Sequence, residues 1–113
     1  MKNKEIRLRC WIAVDGIKFF GPGPRELLSL IDECGSISQA AKSMGMSYKK
    51  AWAMVEDMNA RGSKPYVITR KGGQKGGGTK VTETGKKVIA GYERMMTKLS
   101  AVIQKESEML KLI

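Results

Sequence analysis

A set of polar and aromatic side chains near the middle of the chain has the types and the spacing of a nucleic-acid contact. These residues are Ser47, Tyr48, Lys49, Lys50, Trp52 and Ala53. Lysines can contact guanine acceptors or phosphates, hydroxyls can bond phosphates or base edges, and an alanine methyl can touch a thymine methyl. Trp52 neighbours the apolar stripe of the same segment, so a packing role stays open for it. We expect the set to contact double-stranded DNA.

The composition argues against the commonest catalytic and metal-binding chemistry. The 113 residues include no histidine, the usual general base and metal ligand. With 21 basic and 11 acidic residues the formal net charge is +10, which favours nucleic acid first and an anionic membrane surface second. Cys10 and Cys34 form no CxxC motif, and we expect both to be small buried residues in a reducing compartment. We expect no enzyme activity, no metal and no cofactor.

The sequence shows neither a membrane-spanning segment nor a signal peptide, and we expect no membrane partner. No apolar run approaches the roughly 20 residues of a membrane span. The N-terminus, MKNKEIRLRCW, lacks the apolar core of a signal peptide. We therefore expect a cytoplasmic protein with one domain and an extended appendage.

The segment Ser36 to Asn59 must position the candidate contacts, and it predicts two short helices joined by a tight turn. Ser36 can cap the first helix, Gly45 has the place of a left-handed C-cap, and Ser47 can cap the second helix. The predicted buried stripes are Ile37, Ala40, Ala41 and Met44, then Ala51, Met54, Val55 and Met58. This is the layout of a helix-turn-helix, although an ordinary αα-hairpin stays open. Ser36 and Ser38 are candidates for phosphate contact through the helix N-terminus.

The chain before this segment predicts a β-hairpin and a third helix. Apolar residues alternate with other residues from Ile6 to Val14, which indicates a half-buried strand. Asp15-Gly16 is a hairpin turn signal, and residues 17–20 would form the returning strand. Trp11, on the less apolar face, is expected to pack or to contact a partner, with a functional site as the alternative. Pro24 is predicted at the first position of the next helix, which Gly35 ends.

Two predicted strands, residues 66–70 and 81–82, surround a glycine-rich basic loop, KGGQKGGGTK. Its lysines, Lys71, Lys75 and Lys80, can reach the DNA backbone or the minor groove, and its glycines let the main chain approach phosphates. A nucleotide-binding P-loop would read G-x-x-x-x-G-K-[ST] and lead into a helix, so the local order argues against one. The loop therefore predicts a wing, and a flexible hairpin without contacts stays open.

The end of the chain predicts one long helix that Thr82 caps. Apolar residues recur along it at spacings of 4 and 3, with one polar break at Glu106. The seam consists of Val88, Tyr92, Met95, Leu99 and Val102. A helix of about 28 residues would be about 42 Å long, more than the domain's own core can cover. We expect residues 85–113 to be a linker and dimerisation helix after a DNA-binding domain of residues 1–84. A helix that packs internally and frays at its end is the alternative.

Three motifs together resemble the DNA-binding domain of the molybdate-responsive ModE regulators. They are GSISQAAKSMGMSYKKAWAMVEDMN (35–59), GPGP (21–24) and the glycine wing (72–78). The helix-turn-helix also resembles that of LysR-type regulators. The resemblance implies a mainly α fold with a small β content: a winged helix-turn-helix with an N-terminal β-hairpin and a long C-terminal dimerisation helix. It further implies a homodimeric transcriptional regulator on palindromic operators. The DNA-reading residues that the resemblance implies are Ser47, Tyr48, Lys49, Lys50, Trp52 and Ala53.

Sensor-bearing members of that family carry molybdate-binding domains after the linker helix, and this chain ends at Ile113. We therefore expect a regulator without those domains. It would be a stand-alone member, a shortened chain, or a protein that receives its signal from a separate molybdate-sensing partner. Two other classes stay open: a winged-helix module that docks on proteins, and an oxyanion (molybdate) binding protein that uses the glycine loop.

Overall fold

The regular structure begins with a hairpin whose turn contains two residues with left-handed backbone. The computed structural model describes residues 2–70 and 78–113. Strands β1 (Ile12–Val14) and β2 (Ile17–Phe20) pair in antiparallel fashion. Between them Asp15 and Gly16 have φ values of 51° and 77°. Two successive positive φ values match the twist of the flanking strands, which is why Asp-Gly predicted this turn correctly.

The predicted strand from Ile6 to Val14 is wrong before Ile12, because its partner is too short. β2 has four residues and is followed, after Gly21, by Pro22, which has no N–H to donate to a ladder. Within the described chain, residues 2–11 have no strand partner. The carbonyl of Cys10 instead accepts a hydrogen bond from the Tyr92 hydroxyl at 2.8 Å.

Helix α1 spans Pro22–Cys34, so its first residue is Pro22 and the prediction of Pro24 is wrong. Gly21 takes the N-cap place, where its lack of a side chain leaves room for Trp11. A Cβ on Gly21 would lie 2.4 Å from the Trp11 ring. Trp11 thus packs on the hairpin end, as expected. Gly35 ends the helix with a φ of 67°, in agreement with the prediction.

The two cysteines are free thiols, and only one of them approaches the expected burial. Cys10 is half-buried, whereas Cys34 is exposed, so the prediction of a buried Cys34 is wrong. Cys34 lies in the last turn of α1, where the helix has passed the core. Its thiol donates to the carbonyl of Ser36 at 3.3 Å.

Helices α2 (Ile37–Met44) and α3 (Tyr48–Arg61) follow α1. The Ser36 hydroxyl accepts the N–H of Gln39 at 3.1 Å, which confirms the predicted cap of α2. Arg61 is the last residue of α3, so the helix extends two residues beyond Asn59, where the predicted segment ends. The helix continues to Arg61 because that side chain is fixed by several contacts described below.

The core lies among the three helices, the hairpin and the second sheet. Its fully buried large side chains are Phe20, Leu27, Leu28, Ile31, Val55 and Met58. The predicted stripes are confirmed: Ile37, Ala40, Ala41, Ala51, Val55 and Met58 are buried, and Met44 and Met54 pack partly buried against them. The Phe20 ring meets the Tyr92 ring edge-on at 5.4 Å between centroids, so β2 and the C-terminal helix share this core.

Strands β3 (Val67–Thr69) and β4 (Thr79–Val81) form the second antiparallel sheet. Lys80 lies in β4 opposite Ile68, so the sequence placed the second strand two residues too late. Thr82 is not a strand residue, because its hydroxyl accepts the N–H of Gly85 at 3.0 Å and caps the next helix.

Helix α4 spans Glu83–Lys105 and is followed by a 3₁₀ helix, Ser107–Leu112. The predicted single helix to Ile113 is therefore wrong in its last turns. Those turns bury no side chain, so core packing does not favour α-helical geometry there, and short 3₁₀ stretches are common at helix ends. The protruding helix gives the molecule dimensions of 60 × 32 × 21 Å. In the described parts of the chain, we find no helix of the length and apolarity that crossing a bilayer requires.

Candidate nucleic-acid interface

The start of α3 is fixed by a glycine turn and a serine cap. Gly45 has a φ of 68° and donates its N–H to the carbonyl of Lys42 at 3.1 Å. The Ser47 hydroxyl accepts the N–H of Lys50 at 3.1 Å, as predicted. The hydroxyl keeps its own proton, so Ser47 can still donate to a phosphate or a base acceptor.

Helix α3 divides cleanly into a buried face and an open face. Ala51, Val55 and Met58 are buried in the core. The predicted contact residues lie together on the other side: Ser47, Tyr48, Lys49, Lys50 and Ala53 are exposed, and Trp52 is half-buried. In the described chain neither Lys49 nor Lys50 forms an ion pair, so both ammonium groups are available to an anionic partner. Their contact with DNA stays a prediction.

Helix α2 supports α3 through small side chains. Ala41 is 2% exposed at the contact between the helices, and its carbonyl accepts the N–H of Met46 at 3.0 Å. At the other end of α2 Ser38 is exposed, and Ser36 is half-buried with its hydroxyl proton unused. Both serines are therefore accessible at the helix N-terminus that the sequence proposed for phosphate contact.

Strands β3 and β4, which flank the predicted wing and are called the wing strands below, lie against the helices beside α3. The N–H of Thr79 donates to the carbonyl of Gly35 at 3.2 Å, which links β4 to the turn between α1 and α2. Lys80 is exposed on β4. The other two predicted wing lysines, Lys71 and Lys75, lie outside the described residues.

Asn59 is a positioning residue that the sequence did not predict. The Asn59 amide oxygen accepts the N–H groups of Tyr66 at 2.8 Å and of Val67 at 3.1 Å, and its amide nitrogen donates to the carbonyl of Val67 at 2.9 Å. Asn59 thus ties the end of α3 to the first wing strand. An asparagine in the last turn of a helix, shortly before a glycine, is the only signal in the sequence, and it does not name the partner.

Arg61 is a second residue that the sequence did not single out. Its guanidinium donates to the carbonyls of Ile17 and Lys18, each at 3.0 Å, and to the Asp57 carboxylate at 3.0 Å. It also lies over the Phe19 ring, 5.2 Å from the centroid. The contacts with Ile17, Lys18 and Phe19 attach the N-terminal hairpin to the end of α3, and each joins residues more than 40 positions apart.

The comparisons with known proteins point to one kind of regulator. No protein-family model matches the chain. The transcriptional regulator ModE of Haemophilus influenzae is 38% identical over 110 residues, which cover 95% of this chain and 42% of that protein. The DNA-binding transcriptional dual regulator ModE of Escherichia coli K12 is 40% identical over 75 residues, 66% of this chain and 29% of that protein. The chain is ModE-like.

A third relative has a different name. The molybdenum-pterin-binding protein MopB of Rhodobacter capsulatus is 47% identical over 66 residues, 58% of this chain and 24% of that protein. The ModE-like chain spans less than half the length of each of these relatives. In the described part of the ModE-like chain, no group of three or more cysteine, aspartate or glutamate side chains is arranged to hold a metal ion.

The predicted seam of α4 is used unevenly in this ModE-like fold. Tyr92 is buried, and burial raises the pKa of its phenol above the ordinary value, with a further contribution from Cys10. Val88 and Met95 pack partly buried against the same core. Farther along, Leu99 is half-buried and Val102 is 58% exposed. The first half of the seam therefore packs against the chain's own core, and the second half leaves apolar surface exposed.

Proposed function

We propose that the protein is a sequence-specific DNA-binding transcriptional regulator without enzyme activity. The observation that carries the proposal is the open face of α3, where Tyr48, Lys49, Lys50 and Ala53 stand exposed on a helix whose other face is buried. A helix anchored in this way can enter the major groove, and its first turns reach base edges. The formal net charge of +10 and the printed names of the ModE relatives support the same function.

We propose further that two copies act together on a palindromic operator. In this proposal residues 1–84 bind DNA and residues 85–113 hold the copies together. Exposed apolar surface supports the contact, because Val102 on α4 and Met109, Leu112 and Ile113 beyond it are all exposed. A two-fold dimer would present its two α3 helices to half-sites about 34 Å apart, one turn of DNA.

The DNA proposal is tested by selecting duplexes from a random pool and measuring affinity at several salt concentrations. Each phosphate that a lysine or arginine neutralises adds about −0.9 to the slope of log affinity against log salt. We expect a steep slope and an enriched sequence. Lys75→Ala should flatten the slope by about one unit and leave sequence preference unchanged. A wild-type protein that enriches no sequence and binds with no salt dependence would contradict the proposal.

The dimer is tested by a charge in the open part of the seam. Val102→Glu should convert the dimer to a monomer, because an unpaired carboxylate would be buried between the copies. Ala101→Glu is the matched control, since Ala101 is also exposed but lies outside the seam. Sedimentation equilibrium distinguishes the states. Equal masses for both variants at each concentration would exclude this part of α4 from the interface.

A link to molybdenum is the remaining element of the proposal. One relative is named a molybdenum-pterin-binding protein and another the molybdenum transport protein ModE. We infer that molybdate is the signal and that a separate molybdate-sensing partner can deliver it. If the chain bound molybdate itself, micromolar molybdate would raise its melting temperature, as mass action requires. A rise with molybdate and none with sulfate would favour the oxyanion-binding alternative instead.

A further inference from the structure

The open face of α3 carries two aromatic rings that lie parallel to each other. The centroids of Tyr48 and Trp52 are 6.4 Å apart, and their planes differ by 11°. The two residues are four positions apart, which places them on the same side of the helix one turn from each other. Tyr48 is the first residue of α3, in the turn that a recognition helix inserts deepest.

The two rings have different surroundings. Trp52 is half-buried and packs against the edge of the hydrophobic core, so the core fixes one side of its indole. Tyr48 does not belong to the core and is 56% exposed. One side of the Tyr48 ring is therefore supported by a fixed neighbour, and the rest of the ring faces outward.

We propose that Tyr48 determines specificity by placing its ring on a thymine methyl group, and that Trp52 is a positioning residue that holds this ring. The inference rests on the proposed DNA-binding function. Aromatic pairs favour offset-parallel arrangements of this kind, and a ring held before binding loses less rotamer freedom on contact. In the major groove the C5-methyl of thymine is the apolar feature that distinguishes this base.

The test uses the duplex selected by the wild-type protein. Each thymine is replaced in turn by deoxyuridine, which lacks only the C5-methyl. We expect one thymine in each half-site to be sensitive. Its replacement should weaken binding about fourfold per half-site, which is the effect of losing one buried methyl-sized group. The same replacement should have no effect on Tyr48→Ala, and it should keep its full effect on Tyr48→Phe, which retains the ring.

The positioning role of Trp52 is tested on the same duplexes. Trp52→Leu should lose most of the fourfold methyl effect, and Trp52→Phe should restore at least half of it. Trp11→Phe is the matched control, because Trp11 packs on the hairpin, and this variant should keep the whole effect. Melting curves of the Trp52 variants identify any loss that comes from unfolding.

The outcomes separate this inference from the function on which it rests. If the wild-type protein enriches no sequence, the proposed function fails. If a sequence is enriched but contains no thymine whose methyl matters, or if Tyr48→Ala keeps the methyl effect, the inference about Tyr48 is wrong. If folded Trp52→Leu discriminates methyl groups as well as the wild-type protein does, Trp52 does not position Tyr48.

Discussion

Helices α3 and α4 begin in the same way and end differently. Each helix is preceded by a residue whose hydroxyl accepts the N–H of the residue three positions later. This residue is Ser47 before α3 and Thr82 before α4. α3 buries one face along its whole length and leaves a polar, basic face open. α4 buries only its first turns and leaves apolar Val102 exposed. The open surface of each helix thus suggests its partner: an anionic duplex for α3 and a second apolar surface for α4.

The largest expected effect comes from removing the hydrogen bonds between the end of α3 and the first wing strand. Asn59→Ala removes three hydrogen bonds and leaves the N–H groups of the buried residues Tyr66 and Val67 without their acceptor. We expect a loss of about 3 kcal/mol in the free energy of unfolding, measured by urea titration. Asn59→Asp keeps the acceptor and should recover part of the loss. Full stability of Asn59→Ala would contradict the anchor.

The second prediction concerns the anchor of α4. A Cβ on Gly85 would lie 2.6 Å from the Tyr66 carbonyl oxygen, a backbone atom that cannot easily move. Gly85→Ala should cost about 3 kcal/mol by overpacking and regain about 1 kcal/mol of helix propensity, for a net loss of about 2 kcal/mol. Gly91→Ala is the matched control on the same helix, where the nearest atom is the tip of Arg94 at 3.7 Å. Gly91→Ala should raise the free energy of unfolding, whereas Gly85→Ala should lower it. Calorimetry of the two variants should show these opposite changes.

The third prediction compares the two caps. Ser47→Ala should cost about 1 kcal/mol, the usual value of an N-cap. Thr82→Ala should cost about 1.5 kcal/mol or more, because the Thr82 hydroxyl also donates to the carbonyl of Pro65 at 2.8 Å. Chemical denaturation of the two variants tests the difference. A larger loss for Ser47→Ala would mean that the second hydrogen bond of Thr82 contributes nothing.

The smallest expected effect concerns how the stability of the protein depends on pH in the alkaline range. Burial raises the pKa of Tyr92 in the folded protein above its unfolded value near 10. Its contribution to stability is therefore complete below about pH 10 and is lost as the pH rises through the folded value. Tyr92→Phe should lose less stability between pH 9 and 11 than the wild-type protein does. Identical pH profiles would show that the phenol ionises equally in both states.

Local signals in the sequence predicted the helix-turn-helix well, because each depends on neighbouring residues. The caps at Ser36, Ser47 and Thr82 and the left-handed glycines 35 and 45 required only short-range chemistry. The first strand was overextended because its alternation says nothing about the length of the strand that pairs with it. The burial of Tyr92 was likewise invisible in a heptad pattern, since a regular seam does not tell which partner covers it.

The long-range anchors could not be derived for the same reason. Asn59 and Arg61 bind the backbone of segments whose position depends on the whole fold, and backbone donors and acceptors carry no sequence signature. The open face of α3 was predictable residue by residue, whereas the stacking of Tyr48 on Trp52 required rotamers that only the packed core fixes.

The most direct measurement is the ratio of affinities for the selected operator and for random DNA in Lys49→Ala and Lys105→Ala. Lys49 lies in the first turn of α3, and Lys105 is the last residue of α4, so the two variants remove the same charge at different places. If α3 reads the groove, Lys49→Ala should lower the ratio about tenfold or more, the effect of one specific base contact, and Lys105→Ala should leave it unchanged. An unchanged ratio in Lys49→Ala, or an equal loss in both variants, would contradict the account.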